Sequence, residues 1–198
     1  MGFVISRPAL ADVPQYMAAL RRGWSPDNVR GEAAALEELD EIARDPAGFA
    51  ERLDDRDARG GPVFLPDGSV VTRLPGYRRW MMDGGAFCGT IGFRWQHGTS
   101  ALPAHVLGHI GYAVVPWLRG RGYATRALAL LLREISDAGL LPHVELTTSP
   151  DNLASQGVIL ANGGEAVGEF TKSAAYGGGT ALRWRIAIQP APGMAMRH

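Results

Sequence analysis

Apolar residues change their spacing several times along the chain, and each change marks an element. The run from Phe3 to Ser6 is stopped by Pro8. From Asp12 the residues Val13, Tyr16, Met17 and Leu20 recur at helical spacing as far as Gly23, which predicts a strand followed by a helix. Between Asn28 and Leu53 two further helices are expected. Leu36, Leu39 and Ile42 lie on one stripe, and Asp45 followed by Pro46 signals a new start. The polar, glycine-rich stretch DDRDARGGP at 54–62 predicts an exposed loop.

From Val70 to Gln96 the period shortens to that of strands. VVTRLP and GYRRWMMD are followed by Asp83-Gly84-Gly85 and then AFCGTIGFRW, so a hairpin is expected across the glycine turn. After HGTSALPAH, a strand is expected from Leu107 to Val115 and a helix from Tyr123 to Ala138. Leu128, Leu131, Leu132 and Ile135 give that helix an apolar stripe, and Gly139 stops it. The pattern then predicts a strand at His143–Thr148 and a helix from Asp151 to Asn162, capped by Ser149 with Pro150 as its first residue. Strands follow at Ala166–Phe170 and Ala181–Ile188. A hairpin followed by strand, helix, strand and helix implies an α/β (α+β-like) fold, with a mixed sheet and helices on both faces.

The chain has 198 residues, enough for one domain with its own core; residues 1–190 are expected to form it and 191–198 a tail. Twenty Lys and Arg balance twenty Asp and Glu. No global field therefore attracts nucleic acid or an anionic membrane, and neither is an expected partner. The single cysteine, Cys88, excludes an internal disulfide and a multi-cysteine metal site; it reads as a small apolar strand residue. No metal is expected. Met1, Gly2 and Ser6 fit the N-myristoylation template by letter, but VISRP reads as a strand. With no secretory pattern and no bilayer-length apolar run, the expected location is the cytoplasm.

The chemistry concentrates in WLRGRGYATRAL, residues 117–128. Its glycines sit where an apolar helix begins, so unpartnered N–H groups and the positive end of the helix dipole face outward, a good seat for phosphate. A Walker loop needs Lys and Ser or Thr after the second glycine, and the chain has Tyr123, Ala124 and Thr125 there. A dinucleotide fingerprint needs a glycine at Thr125 and no intervening Pro116 and Trp117. Both patterns fail. A plain strand-to-helix turn, with glycines serving geometry alone, stays open from the loop by itself.

Arg119-Gly120-Arg121-Gly122-Tyr123-Ala124 has the form Gln/Arg-x-x-Gly-x-Gly/Ala, and here the sequence resembles the GNAT superfamily of acetyl-CoA-dependent N-acyltransferases. The resemblance extends to the apolar strand His109–Val115 before the loop, the strand VELTT after the helix, and Asn152 and Ser155 as Asn-x-x-Ser. It covers residues 105–170 best. It implies a mostly antiparallel sheet of about six to seven strands containing a splayed parallel pair, His109–Val115 and His143–Thr148, with helices on both faces. It also implies acetyl-CoA as acyl donor. The N–H groups of Arg121, Gly122, Tyr123, Ala124 and Thr125 would cradle the pyrophosphate, with Arg119, Gly120, Asn152 and Ser155 beside them, and Val114 or Val115 would donate an N–H to the oxyanion. For Asn152 and Ser155, helix capping and plain surface polarity stay open.

Some members place a glutamate where His109 stands, and an imidazole there is a candidate general base. A histidine satisfied by a backbone partner is the other reading. Many members carry a tyrosine seven residues after the asparagine as general acid to the thiolate; here that residue is Ile159. Tyr176, in the AAYGGGT loop, is the substitute candidate acid. The resemblance thus implies an N-acetyltransferase acting on a primary amine of a small molecule or peptide, as monomer or homodimer. A non-catalytic acyl-CoA-binding module is the alternative. The acceptor is expected between the helical insertion of 28–62, the 70–96 hairpin and the segment after Phe170. Acids of 32–57 would suit a polycationic acceptor if they faced it, or form a solvated helical face.

Overall fold

The computed structural model describes residues 2–65 and 67–189, and the expected tail 191–198 lies outside them. The chain runs β1 (Val4–Ser6), α1 (Val13–Arg21), α2 (Glu32–Arg44), α3 (Pro46–Arg52), β2 (Asp54–Asp55), β3 (Val63–Phe64), β4 (Val70–Val71), β5 (Gly76–Asp83), β6 (Ala86–Arg94), β7 (Ile110–Val114), α4 (Tyr123–Asp137), β8 (His143–Thr148), α5 (Leu153–Leu160), β9 (Glu165–Thr171) and β10 (Thr180–Ala187). The expected hairpin is β5–β6, turning on Gly84 and Gly85, whose positive φ values of 58° and 86° suit glycine.

Strand order in the main sheet is β1-β5-β6-β7, with β2 also paired to β5; a second sheet has the order β8-β10-β9, and β3 and β4 form a small hairpin. Every pairing is antiparallel. Helices cover both faces of the main sheet. Leu128, Leu131 and Ile135 of α4 pack with Met81, Ile91 and Phe93 on one side, while Tyr16 of α1, Ile42 of α2 and Phe49 of α3 surround Trp80 and Phe87 on the other.

The expected parallel pair is not seen: β7 and β8 belong to different sheets and share no ladder. They meet only at their entrance. The His109 N–H donates to the Glu145 carbonyl at 2.8 Å, but the Glu145 N–H donates to Nδ1 of the His109 ring at 2.9 Å. An imidazole occupies the position a strand carbonyl would take, so the ladder has nowhere to continue.

Three local expectations are also corrected. Residues 54–62 are not wholly an exposed loop: β2 pairs with β5, and the buried Asp54 carboxylate binds Arg79 at 3.1 Å and Arg56 at 2.9 Å. Asp54's pKa is lowered despite its burial because those guanidinium groups hydrogen-bond it. Leu36 faces solvent, and the inner face of α2 is Ile42 with Ala34 and Ala35, two small residues that let the helix sit close. Helix α5 starts later than expected, with Asn152 rather than Ser149 as its cap.

Candidate active site

After β7 the chain makes a short 3-10 turn at Pro116–Leu118 and then passes through Gly120 and Gly122, whose φ values are +76° and +72°. Both are left-handed and open to solvent, so the glycines serve the turn and leave its surface bare. Gly122 caps α4 without a side chain, and Arg126 N–H is the donor that returns to the Gly122 carbonyl, at 3.1 Å. The N–H groups of Tyr123, Ala124 and Thr125 therefore point out of the first turn with no acceptor inside the helix. Beside them, Arg121 is exposed. Arg119 instead folds back, its Nε donating to the Val114 carbonyl at 3.3 Å. The Tyr123 side chain turns inward, its hydroxyl donating to Asp83 at 2.8 Å, so only its backbone faces the cradle.

The β6–β7 ladder decides which valine can serve an oxyanion. Val115 N–H donates to the Cys88 carbonyl at 3.0 Å, and the same alternation gives Arg94 N–H to the His109 carbonyl at 2.9 Å. Val114, opposite Gly89 and one residue before Val115, is thus in a non-bonded pair, and its N–H and carbonyl face the free edge. Val115 must be struck from the oxyanion role, since its N–H is spent and its side chain is fully buried. Gly89 makes the arrangement possible. A side chain there would meet the Ala113 carbonyl oxygen at 2.3 Å and the Val114 Cα at 2.9 Å.

Across the gap from this edge lies α5. Asn152 Oδ1 accepts from the Ser155 N–H at 3.1 Å, which is a cap, and Ser155 receives the Tyr112 hydroxyl on its carbonyl oxygen at 3.3 Å. Tyr112 thus ties β7 to α5, a link that strand alternation alone does not reveal. Ile159 fills the core with 1% exposure, so its position offers no proton donor to the gap. Cys88 is buried too, and burial pushes its pKa up.

His109 is enclosed, with 0% exposure. Burial pushes its pKa down to about 4, against a partial upward pull from Glu145. The ring is therefore neutral, with Nδ1 accepting from Glu145 and Nε2 carrying the hydrogen, buried and without a partner among the described residues.

Tyr176 stands elsewhere, in a cleft of about 430 Å³. Its hydroxyl donates to the His105 carbonyl, and burial raises its pKa. Asp27, Arg52 and Leu53 from the helical front, residues 71–74, 76–78 and 92–94 from the strands and their approach, and Tyr176 line this cleft together. Gly92 in its wall pairs with Gly111 of β7, and Val114 lies three residues further on, about 10 Å along the strand. At the cleft's inner end, Arg78 bonds Glu38 at 2.8 Å and the Tyr16 hydroxyl at 3.1 Å. Desolvation opposes the Arg78 charge, but these partners more than offset it and its pKa is raised. None of these cleft residues belongs to a local motif, which is why spacing alone does not reveal them. Among the described residues no group of three or more His, Cys, Asp or Glu is placed to hold a metal.

The free helix start, the open strand edge and the order of elements define an acyltransferase of the GNAT type. The sequence matches the acetyltransferase (GNAT) domain family over residues 7–165, and the chain belongs to that family. The fold is similar to that of the microcin C7 self-immunity acetyltransferase MccE, solved with acetyl-CoA and AMP, at 15% identity and TM-score 0.63, covering 94% of this chain and 93% of that one. It is also similar to RimL, a ribosomal L7/L12 α-N-protein acetyltransferase solved with coenzyme A (12% identity, TM-score 0.59, 95% of both chains). A putative GNAT-family acetyltransferase from Bordetella pertussis has 19% identity and a TM-score of 0.59, over 94% of this chain and 96% of that one. No curated protein sequence matches the chain significantly. Among the described residues no helix is long and apolar enough to cross a membrane.

Proposed function

We propose that this acetyltransferase moves the acetyl group of acetyl-CoA to a primary amine held in the 430 Å³ cleft. The carrying observation is the continuity of an open helix start at Gly122–Thr125 with the free edge of β7 at Val114. In this reading the pyrophosphate rests on the first-turn N–H groups and the pantetheine arm runs along β7 toward Val114. The expected parallel neighbour, β8, shares no ladder with β7, and Tyr112 reaches from β7 to α5 across the gap.

Acyl transfer then needs three things: a neutral amine, a stabilised oxyanion and a proton for the thiolate. The amine nitrogen attacks the thioester carbon, the carbonyl oxygen takes up negative charge at the Val114 N–H, and the C–S bond breaks as the amide forms. Protons from the amine leave to cleft water. His109 does not take them, because its ring is sealed from the cleft and committed to Glu145; it positions the start of β7. Tyr176 keeps its proton at neutral pH and is the cleft group assigned to the departing thiolate.

Calorimetric titration with acetyl-CoA tests the reading. Binding should be present in the wild type and lost in Gly122→Trp, while both fold; absence of binding to the wild type at high micromolar acetyl-CoA would sink it. Thiol release above background hydrolysis with an amine panel separates transfer from mere binding.

A further inference from the structure

Four arginines, Arg52, Arg73, Arg78 and Arg94, line the cleft against two aspartates, Asp27 and Asp55. Both acids are occupied by turns. Asp27 accepts from the Val29 and Arg30 N–H groups at 2.8 and 3.0 Å, and Asp55 from those of Arg59 and Gly60 at 2.7 and 2.9 Å. Two arginines are also engaged, Arg52 by Asp45 at 3.1 Å and Arg78 by Glu38 at 2.8 Å. Among the described residues Arg73 donates only to a neutral group, the Gly61 carbonyl, at 2.9 Å. Arg94 has no carboxylate within 4.0 Å and no side-chain hydrogen bond among the described residues.

Arg94 stands opposite Gly76 in the β5–β6 ladder, where a Cβ on Gly76 would crowd the Phe93 carbonyl at 2.9 Å and touch the Arg94 Cβ at 3.4 Å. Desolvation and the neighbouring Arg78 charge lower its pKa, Tyr176 and Asp27 pull it partly back up, and the residue is exposed with no carboxylate in ion-pair reach. Its planar fork of donors matches a carboxylate or phosphate.

We infer that the acceptor amine carries an anionic group, a carboxylate or a phosphate, which binds Arg94 with Arg73 and Arg78 around it. The inference rests on the acetyl-transfer reading for its amine and adds the other half of the substrate. An anionic acceptor is the opposite of the polycationic one that the acids of 32–57 would suit if they faced it. Glu38 is paired with Arg78 and Tyr16, and Asp45 with Arg52 and the Gly48 N–H, so neither is free for a cationic acceptor.

The test uses the full chain saturated with coenzyme A, so that the cradle is filled and anions report on the cleft. Inorganic phosphate and acetate are titrated separately into wild type, Arg94→Gln and Arg94→Lys. At least one anion should bind the wild type, weaken about tenfold or more in Arg94→Gln, and recover in part in Arg94→Lys. Phosphate alone assigns a phosphorylated amine, and acetate alone a carboxylated one. A wild type that binds neither at millimolar concentration, or that binds as well after Arg94→Gln, overturns the inference. Unchanged coenzyme A affinity in Arg94→Gln shows that the variant folds. Should coenzyme A fail to bind the wild type, the transfer reading falls by that arm alone, and the Arg94 dependence is read without it. A turnover arm pairs 2-aminoethyl phosphate with ethanolamine and glycine with glycinamide. The charged member should lead in kcat/KM, and Arg94→Gln should erase that lead through KM.

Discussion

His109 and Glu145 hold each other by two bonds, amide to carbonyl at 2.8 Å and amide to imidazole Nδ1 at 2.9 Å. The second bond requires the neutral ring, and burial keeps it so, with the pKa pushed down to about 4. An unfolded histidine titrates near 6.5, so between pH 6.5 and 4 the unfolded chain binds a proton that the folded chain refuses. Stability is full above pH 6.5 and falls as pH drops through this window, by about 2 kcal/mol at pH 5, levelling once the folded ring is also protonated. Asp45, Asp54 and Asp67, with lowered pKa values, contribute only nearer the ordinary aspartate value of 3.8 and below. Urea unfolding at pH 7 and pH 5 should show the loss in wild type and a flatter response in His109→Asn. An identical slope in both proteins would remove His109 as its source.

Gly89 should tolerate no side chain, because the obstructing atoms are backbone: the Ala113 carbonyl and the Val114 Cα. Its φ of +151° adds strain for any other residue. Gly89→Ala is expected to cost about 3 kcal/mol, as overpacking at a site that cannot give way. Gly111→Ala, on the same ladder with open space at Cβ, should stay within about 0.5 kcal/mol. Thermal melts of the pair decide the matter; equal losses would contradict it.

What could be read from the chain, and what could not, follows the range of the interactions. Helix α4, strand β8 and the β5–β6 hairpin were legible because their periodicity and glycine stops are local, and Gly120 and Gly122 announced the turn by type. The exposure of Leu36 was not, since α2 packs through Ala34 and Ala35, and only the neighbouring helices make small residues the inner face. The role of His109 depends on a backbone amide 36 residues away, and the loss of Val115 as a donor on one carbonyl of β6. The cleft joins Asp27, Arg78, Arg94 and Tyr176 from distant stretches, with no spacing to mark them.

Ile159 should not accept the tyrosine that many family members carry at this place. It is 1% exposed, and its Cγ2 lies 2.3 Å from where a Cβ on Gly164 would stand. Ile159→Tyr must force both bulk and a hydroxyl into the core. A loss of about 2 kcal/mol or more is expected, with no gain in turnover. Higher kcat with an unchanged melting temperature would show that the tyrosine reaches the gap after all.

Gly122→Ala isolates the conformational part of the cradle, because nothing lies within 4 Å of the added Cβ while φ is +72°. The cost in stability should be about 1 kcal/mol, and Gly122→Asn should cost less, since asparagine visits the left-handed region more readily. Acetyl-CoA affinity should follow the same order, because the N–H groups of Tyr123 to Thr125 are aimed by this turn. Calorimetry against the wild type reads it: affinity indifferent to all three residues would mean the helix start does not hold the coenzyme.

Tyr176→Phe separates proton donation from shape. The ring and its place in the cleft are kept, and the hydroxyl that donates to the His105 carbonyl is removed. If that hydroxyl protonates the thiolate, kcat should fall about 100-fold, the lower end for a general acid, while KM for acetyl-CoA is unchanged. The deficit should shrink when the leaving thiol is made more acidic, as in an acetyl thioester of an aromatic thiol, because such a thiolate departs without a proton. A purely structural role for the His105 bond predicts the opposite: the loss would persist with the acidic thiol and would be accompanied by a weaker KM for the amine. Tyr112→Phe is the matching control, since its hydroxyl is engaged with the Ser155 carbonyl across the gap and should affect the melting temperature more than the leaving-group dependence.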